Sequence, residues 1–171
     1  MRSKEIGKGF TLIELLITIA VFVIIIVIVV IKFNPTRILQ KSRDTQRLAD
    51  VTTLATAINL YLASGLDFKN LAGPYASIDA GFSDDSARKK NDGTGWVPIN
   101  LTAASGGASL AALPLDPLNT AVYYYRVGIS AANKTYEIDT VFEGQENLPK
   151  MAADGGNDPN VYEVGTDLTI L

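Results

Sequence analysis

The sequence predicts an α+β fold, in which a long N-terminal hydrophobic helix, kinked near Pro35, packs on a small C-terminal antiparallel sheet head. Three observations lead to this prediction. Residues 10–31 are almost all apolar, residues 36–64 repeat apolar side chains at helical spacing, and strand-like runs appear only after residue 120. The chain has 171 residues, which leaves room for one ordinary domain behind the apolar segment.

The apolar segment, FTLIELLITIAVFVIIIVIVVI at residues 10–31, is long enough to cross a lipid bilayer. As a helix rising about 1.5 Å per residue it would reach about 33 Å, and the hydrocarbon core of a bilayer is about 30 Å thick. A cleavable secretory signal has a shorter apolar region of about 7–15 residues and a small-residue cleavage site, which this segment lacks. We therefore expect residues 10–33 to remain in the mature protein as a membrane-spanning helix.

One acid, Glu14, interrupts this segment close to its start. An acid inside an apolar helix costs about 2.5–3.5 kcal/mol on membrane-insertion scales and usually has a partner. Gly9 stands directly before Phe10 and lacks a side chain, so a protease can seat the backbone there in an extended form. A cut after Gly9 would create an ammonium group at Phe10, one helical turn from Glu14, and the two could pair within a chain or between subunits.

The stretch GFTLIELL, residues 9–16, resembles the class III signal of the type IV pilin and pseudopilin superfamily. The resemblance implies that a prepilin peptidase cuts after Gly9, that the new amine of Phe10 is methylated, and that Glu14 guides subunit docking. It also implies that residues 1–9 are a leader peptide on the cytoplasmic side. The balance of Lys and Arg does not predict this orientation, because three precede the span and five follow it closely.

The resemblance implies a structural subunit of a type IV pilus-like or pseudopilus filament. Its expected partners are itself or related subunits, the prepilin peptidase, an inner-membrane assembly platform and the lipid bilayer. Its expected location is the inner membrane, crossed once, as a precursor, and an extracytoplasmic or cell-surface filament after assembly. The residues leave one alternative open, which is a single-pass membrane-anchored extracytoplasmic binding domain that never polymerises.

Composition argues against two other classes of protein. The chain has no His and no Cys, which removes imidazole general bases, Ser-His and Cys-His nucleophile pairs and disulfides. We therefore expect no enzymatic activity. Residues 51–171 contain seven basic and fourteen acidic side chains, and such an acidic body does not suit nucleic acid as its main partner.

A second helix is predicted over residues 34–64. Pro35 would remove a hydrogen bond from a continuous helix, whereas Asn34 as N-cap and Pro35 as first helical residue suit a restart, so we expect a kink or a short break. Ser64 and Gly65 indicate the end of the helix. Its apolar stripe consists of Leu48, Val51, Leu54, Ala55, Ile58, Tyr61 and Leu62, and the polar side chains Arg47, Asp50, Thr53 and Asn59 lie off that stripe.

The head is predicted over residues 65–171, with long loops and at most a short helix up to residue 120. Residues 121–127 and 135–142 read as an antiparallel hairpin with a seven-residue connector, and residues 161–165 as a third strand.

The head also resembles the major pseudopilins of type II secretion over one short turn, LPLDPLN at residues 113–119. Those proteins lack cysteine and stabilise a C-terminal loop with calcium, so the resemblance implies a calcium site here. Candidate ligands are Asp154, Asn157 and Asp158, because calcium binds several oxygens on a tightly folded backbone. A Gly-Asn-Asp turn without metal is the alternative, since the spacing fits no EF-hand.

Overall fold

A computed structural model describes residues 9–171, and within them the chain forms four α-helices, one 3₁₀ turn and one four-stranded sheet. The elements are α1 Leu12–Phe33, α2 Pro35–Ala63, β1 Tyr75–Ala76, α3 Asp85–Arg88, the 3₁₀ turn Leu101–Ala103, β2 Arg126–Ser130, β3 Thr135–Thr140, α4 Leu148–Met151 and β4 Tyr162–Gly165. The chain divides into two compact units, Met1–Leu39 and Gln40–Leu171. The predicted leader, apart from Gly9, lies outside the described residues.

Helix α1 confirms the predicted N-terminal apolar helix. It begins after Thr11, whose extended backbone (ψ 153°) and side chain cap the first turn. The span Leu12–Val30 is long and apolar enough to cross a membrane, and none of it is buried. The helix is apolar on every side, which is typical of a segment that lipid or other apolar helices surround.

The predicted break at Pro35 is confirmed. Asn34 ends α1 with a left-handed backbone (φ 36°), a conformation that Asn tolerates better than most residues. Its N–H donates to the carbonyl oxygen of Val30 at 3.3 Å. Pro35 then opens α2, and the N–H of Arg37 donates to the backbone oxygen of Asn34 at 2.9 Å and to its Oδ1 at 3.4 Å. Asn34 thus closes one helix and caps the next.

The predicted stripe of α2 supplies one side of the head's core, and Val51, Leu54 and Ile58 are fully buried. The helix ends at Ala63 as expected, followed by Gly65 with φ 78°. Arg47 was predicted to lie off the buried face, and that prediction is wrong because its guanidinium is 0 % exposed. Three carboxylates surround it, so the charge is compensated inside the protein.

The sheet has the order β1-β2-β3-β4, and every neighbouring pair is antiparallel. The predicted hairpin of β2 and β3 and the third strand, β4, are confirmed. However, β2 begins at Arg126 rather than at residue 121, and the connector to β3 has four residues rather than seven. The reason is local, since the N–H of Thr120 donates to the carbonyl oxygen of Tyr123 at 2.8 Å and closes a turn where the strand was expected.

Residues 65–120 contain more structure than predicted. They hold the two-residue strand β1 at the sheet edge, the short helix α3 and the 3₁₀ turn. They also complete the core, because Trp96, Val97 and Ile99 are buried together with the α2 stripe and the sheet. The indole N–H of Trp96 donates to the carbonyl oxygen of Pro114 at 3.0 Å, which fixes the ring in place. Low periodicity in the sequence therefore concealed residues that pack in the core.

Candidate processing and assembly site

The backbone at the expected cleavage position is open. Gly9 and Phe10 precede the helix, both are exposed, and Phe10 is 80 % accessible. A Cβ added at Gly9 would meet no atom within 4 Å. The bond between Gly9 and Phe10 is thus sterically accessible, and a side chain at position 9 would not disturb the surrounding fold.

Glu14 lies in a capping box at the start of α1. The N–H of Glu14 donates to Thr11 Oγ1 at 3.2 Å, and the Glu14 carboxylate in turn accepts the N–H of Thr11 at 3.4 Å. These two bonds satisfy backbone donors that a helix start leaves free. Glu14 therefore has a hydrogen-bond partner within its own chain, the N–H of Thr11, which follows the nitrogen of Phe10 by one residue. Sequence reasoning missed the role of Thr11, although Thr-x-x-Glu is a local signature of this cap.

The surface of α1 beyond Glu14 presents only apolar side chains up to Val30, apart from Thr18, whose hydroxyl donates to the carbonyl oxygen of Leu15 at 2.7 Å. This internal bond removes the one hydroxyl donor from the helix surface. The arrangement suits packing against lipid or similar helices, and it offers no polar group for binding a soluble ligand.

The head contains a buried ion cluster around Arg47. Its guanidinium donates to both carboxylate oxygens of Asp116, to Asp44 Oδ1 at 2.9 Å and to Glu143 Oε1 at 2.6 Å. Half-buried Arg43 also donates to both oxygens of Glu143. The hydrogen bond from Arg43 lowers the pKa of Glu143 below its ordinary value. The cluster links α2 to the turn at residues 113–119 and to the segment after β3.

Asp44 fixes the segment that follows β3. Its carboxylate accepts the N–H groups of Glu143 and Gly144 at 2.8 Å each and the side-chain N–H of Asn147 at 2.9 Å. Asp44 is 2 % exposed, so these bonds replace water around its charge. Since Asp44 and Arg47 also pair with each other, one turn of α2 holds two loops of the head in position.

A second group of buried charges lies on the sheet. An oxygen from each of Glu137, Asp139 and Glu163 lies within 4.8 Å of the others. Arg126 on β2 donates to Asp139 Oδ2 through Nη2 at 2.7 Å. Burial, together with the adjacent Glu163 side chain, raises the pKa of Glu137 to about 7. Although Glu137 and Asp139 are charged and alternate with Tyr136 and Ile138 along β3, both acids are buried.

The predicted calcium ligands lie in one loop between α4 and β4. Asp154 accepts the N–H of Gly156 at 3.0 Å and the N–H of Glu163 at 2.8 Å. Asp158 Oδ1 accepts both N–H groups of Asn160 at 2.9 Å. Both carboxylates thus accept hydrogen bonds from within the loop, and Asp154 also accepts one from β4. Calcium binding by this loop stays a prediction.

Comparison with known proteins gives one match. Residues 7–30 match the family model of the prokaryotic N-terminal methylation motif, and this range includes Gly9, Phe10 and Glu14. No curated protein and no solved structure matches the chain. The matched range begins before the exposed Gly9–Phe10 bond and ends at the last residue of the membrane-length span. The chain therefore carries, at the head of its apolar helix, the class III signal of type IV pilins and pseudopilins.

Proposed function

We propose that the chain is the precursor of a structural subunit of a type IV pilus-like or pseudopilus filament. The observation that carries the proposal is the coincidence of the methylation motif at residues 7–30 with a helix, Leu12–Val30, of which no part is buried. The motif indicates a structural protein rather than an enzyme, and motif and helix together fit a precursor that crosses the inner membrane once. Lipid surrounds α1 in the precursor, and the helices of neighbouring subunits replace that lipid in the filament.

Each step of assembly has a residue suited to it. Prepilin peptidase cuts the open bond after Gly9, and the new amine of Phe10 is methylated. Glu14 then sets the axial register of the incoming subunit by pairing with a Phe10 amine. Its carboxylate already accepts an N–H one residue away from that nitrogen. An ammonium donor binds the carboxylate more strongly than an amide donor, because it adds the attraction of a full positive charge.

The alternative, a membrane-anchored binding domain that never polymerises, has weaker support. Its best observation is a groove of about 240 Å³ beside β2 and β3, lined by Tyr124, Arg126, Asp139 and Asp158 among others. Ligand pockets commonly measure about 300–1,000 Å³. The groove is thus small for a ligand site, and an anchored binding domain gives no reason for a methylation motif ahead of its anchor.

The mature N-terminus tests the proposal directly. We expect mass spectrometry of the chain, produced together with a prepilin peptidase, to find a protein that begins at N-methylated Phe10. Gly9→Val should block the cut without unfolding the protein, since a side chain at this position meets open space. Gly7→Val, at the other glycine of the predicted leader, is the matched control and should be processed. A protein that keeps Met1, or that is cut after residue 31, would refute the proposal.

A pair of variants distinguishes the docking role of Glu14 from its capping role. Glu14→Gln keeps an oxygen for the Thr11 N–H but loses the charge, so it should insert into membranes and assemble about 10–100-fold less filament, since bonds to charged groups contribute about 1.5–3 kcal/mol. Thr11→Val removes the capping hydroxyl, keeps the charge and should still assemble. The measurement is filament yield in sheared or detergent-extracted fractions. Normal yield from Glu14→Gln would contradict the docking role, and abundance in the sheared surface fraction distinguishes a pilus from a secretion pseudopilus.

A further inference from the structure

We infer that Glu137, Asp139 and Glu163 form a binding site for a hard divalent cation, with Ca²⁺ as its best occupant. Glu137 and Asp139 are two residues apart on β3 and so lie on one face of the sheet, and Asp139 pairs in register with Glu163 on β4. Their carboxylate oxygens approach within 4.8 Å of one another, and none of the three residues is more than 3 % exposed. The inference does not depend on filament assembly.

When its three carboxylates are ionised, the charges of this cluster do not balance without a further cation. Within residues 9–171, the ion pair that reaches the cluster is the one between Arg126 and Asp139. Three carboxylates and one guanidinium leave two negative charges in a water-poor environment, where like charges at this separation strongly oppose each other's ionisation. A divalent cation would neutralise both charges at once.

Two oxygens of the cluster are free to act as ligands. Glu137 Oε1 and Asp139 Oδ1 are buried and accept no hydrogen bond. Buried acceptors in folded proteins nearly always have a partner, so two such atoms in one acidic cluster point to a ligand. Ca²⁺ binds six to eight oxygens in a flexible geometry, whereas Mg²⁺ requires a near-ideal octahedron and retains water. Three buried carboxylates therefore favour Ca²⁺.

The surrounding backbone orients these carboxylates. The N–H groups of Ile170 and Leu171 donate to Glu137 Oε2 at 2.7 and 2.8 Å, which leaves Oε1 as the free oxygen. The N–H groups of Asn157 and Asp158 donate to Glu163 Oε1 and Oε2 at 3.3 and 3.2 Å. Such outer hydrogen bonds are typical of carboxylates that hold metals.

The predicted calcium loop acquires a different role in this arrangement. Asp154 holds the backbone N–H of Glu163, and a Cβ at Gly156 would lie 1.7 Å from Glu163 Oε2, so only glycine admits the carboxylate there. Asp154, Asn157 and Gly156 are thus positioning residues around Glu163. The cation itself is assigned to the strands and not to the loop.

The test compares the full-length chain in detergent with calcium chloride, magnesium chloride or chelator. Calcium should raise Tm by about 5–11 °C at a hundredfold excess over Kd, and magnesium should raise it less. Calorimetric titration should give one Ca²⁺ per chain. Equal Tm values in calcium and in chelator would overturn the inference and leave a proton as the cluster's counter-charge.

Variants in the cluster and outside it distinguish a cation site from an ordinary acidic cluster. Glu137→Gln keeps an acceptor for Ile170 and Leu171 but removes one charge, so it should lose the calcium-dependent rise and melt higher than wild type in chelator. Asp158→Asn, in the loop, should keep the rise, as should Asp85→Asn, whose side chain is 70 % exposed. A calcium response that survives Glu137→Gln, or that Asp158→Asn abolishes, would overturn the assignment. Glu163→Gln repeats the test if Glu137→Gln fails to fold.

Discussion

The apolar helix and the head place their side chains in opposite environments. In α1 the apolar side chains are exposed, with Phe22 65 % accessible, whereas in the head Arg47 and Glu137 are 0 % exposed. An exposed apolar helix is stable where lipid or other helices replace water, and buried charges are stable where each has a partner. The comparison shows that α1 depends on partners outside the chain, while the charges of the head depend mainly on each other.

Among the variants that test this comparison, Arg47→Met should cause the largest loss of stability. It removes the cation from a site that holds Asp44, Asp116 and Glu143, and loss of one partner from a buried ion pair costs about 3–5 kcal/mol. Urea unfolding of the full-length chain in detergent, followed by Trp96 fluorescence, measures the loss. Arg43→Met is the control, because Arg43 is only half-buried and its loss should cost much less than the loss of Arg47. Equal losses from both variants would show that burial does not decide the effect.

Val27→Lys should have the next largest effect, and only on the helix. Val27 lies inside the membrane-length span, where a charge costs about 2.5–3.5 kcal/mol of insertion free energy. The fraction of chain that resists alkaline extraction from membranes should therefore fall, while urea unfolding of the head stays unchanged. Val27→Leu should alter neither measurement. A Val27→Lys protein whose head unfolds more easily would show that the head also depends on α1.

Glu143→Gln should have the smallest effect, and its difference from wild type should be largest near neutral pH and should shrink in acid. The pKa of Glu143 is lowered from an ordinary 4.5, so the folded protein binds this proton less readily than the unfolded chain. Its contribution to stability is therefore complete above about pH 4.5 and is lost as pH falls through the lower, folded pKa. Arg43, Arg47 and Asp44 are the charged groups that face it.

The Glu143→Gln variant changes the acid sensitivity of the protein because it removes one titrating carboxyl group. Stability of the Glu143→Gln protein should fall less steeply below pH 4.5, by at most about 1.4 kcal/mol per pH unit. Urea unfolding from pH 7 to 2.5 measures this slope in both proteins. Parallel curves would mean that Glu143 titrates alike in the folded and unfolded chain.

The features predicted correctly from the sequence depend on neighbouring residues. The apolar run, the Asn34–Pro35 break and the α2 stripe follow from length, capping and periodicity within a few turns. The Arg47 cluster could not be found this way, because Asp116 and Glu143 lie 69 and 96 residues further along the chain. The local sequence does not distinguish a buried arginine from an exposed one, because the partners that decide burial lie in distant loops.

The carboxylate cluster on the sheet was partly visible in the sequence. Glu137 and Asp139 alternate with Tyr136 and Ile138, which places both acids on one face of β3. The register with Glu163 depends on how β4 pairs, which local patterns do not fix. The late start of β2 has the same cause, because a turn at residues 120–123 competes with the strand propensity of the tyrosine run.

In the proposed filament, the capping box at the start of α1 would make subunit docking reversible. In the proposed docking, Glu14 would leave the Thr11 N–H to engage the amine of a neighbouring subunit and would recover that bond when the subunit departs. Docking of this kind would be an exchange of donors, and its free energy would be the difference between two hydrogen bonds rather than the whole of one.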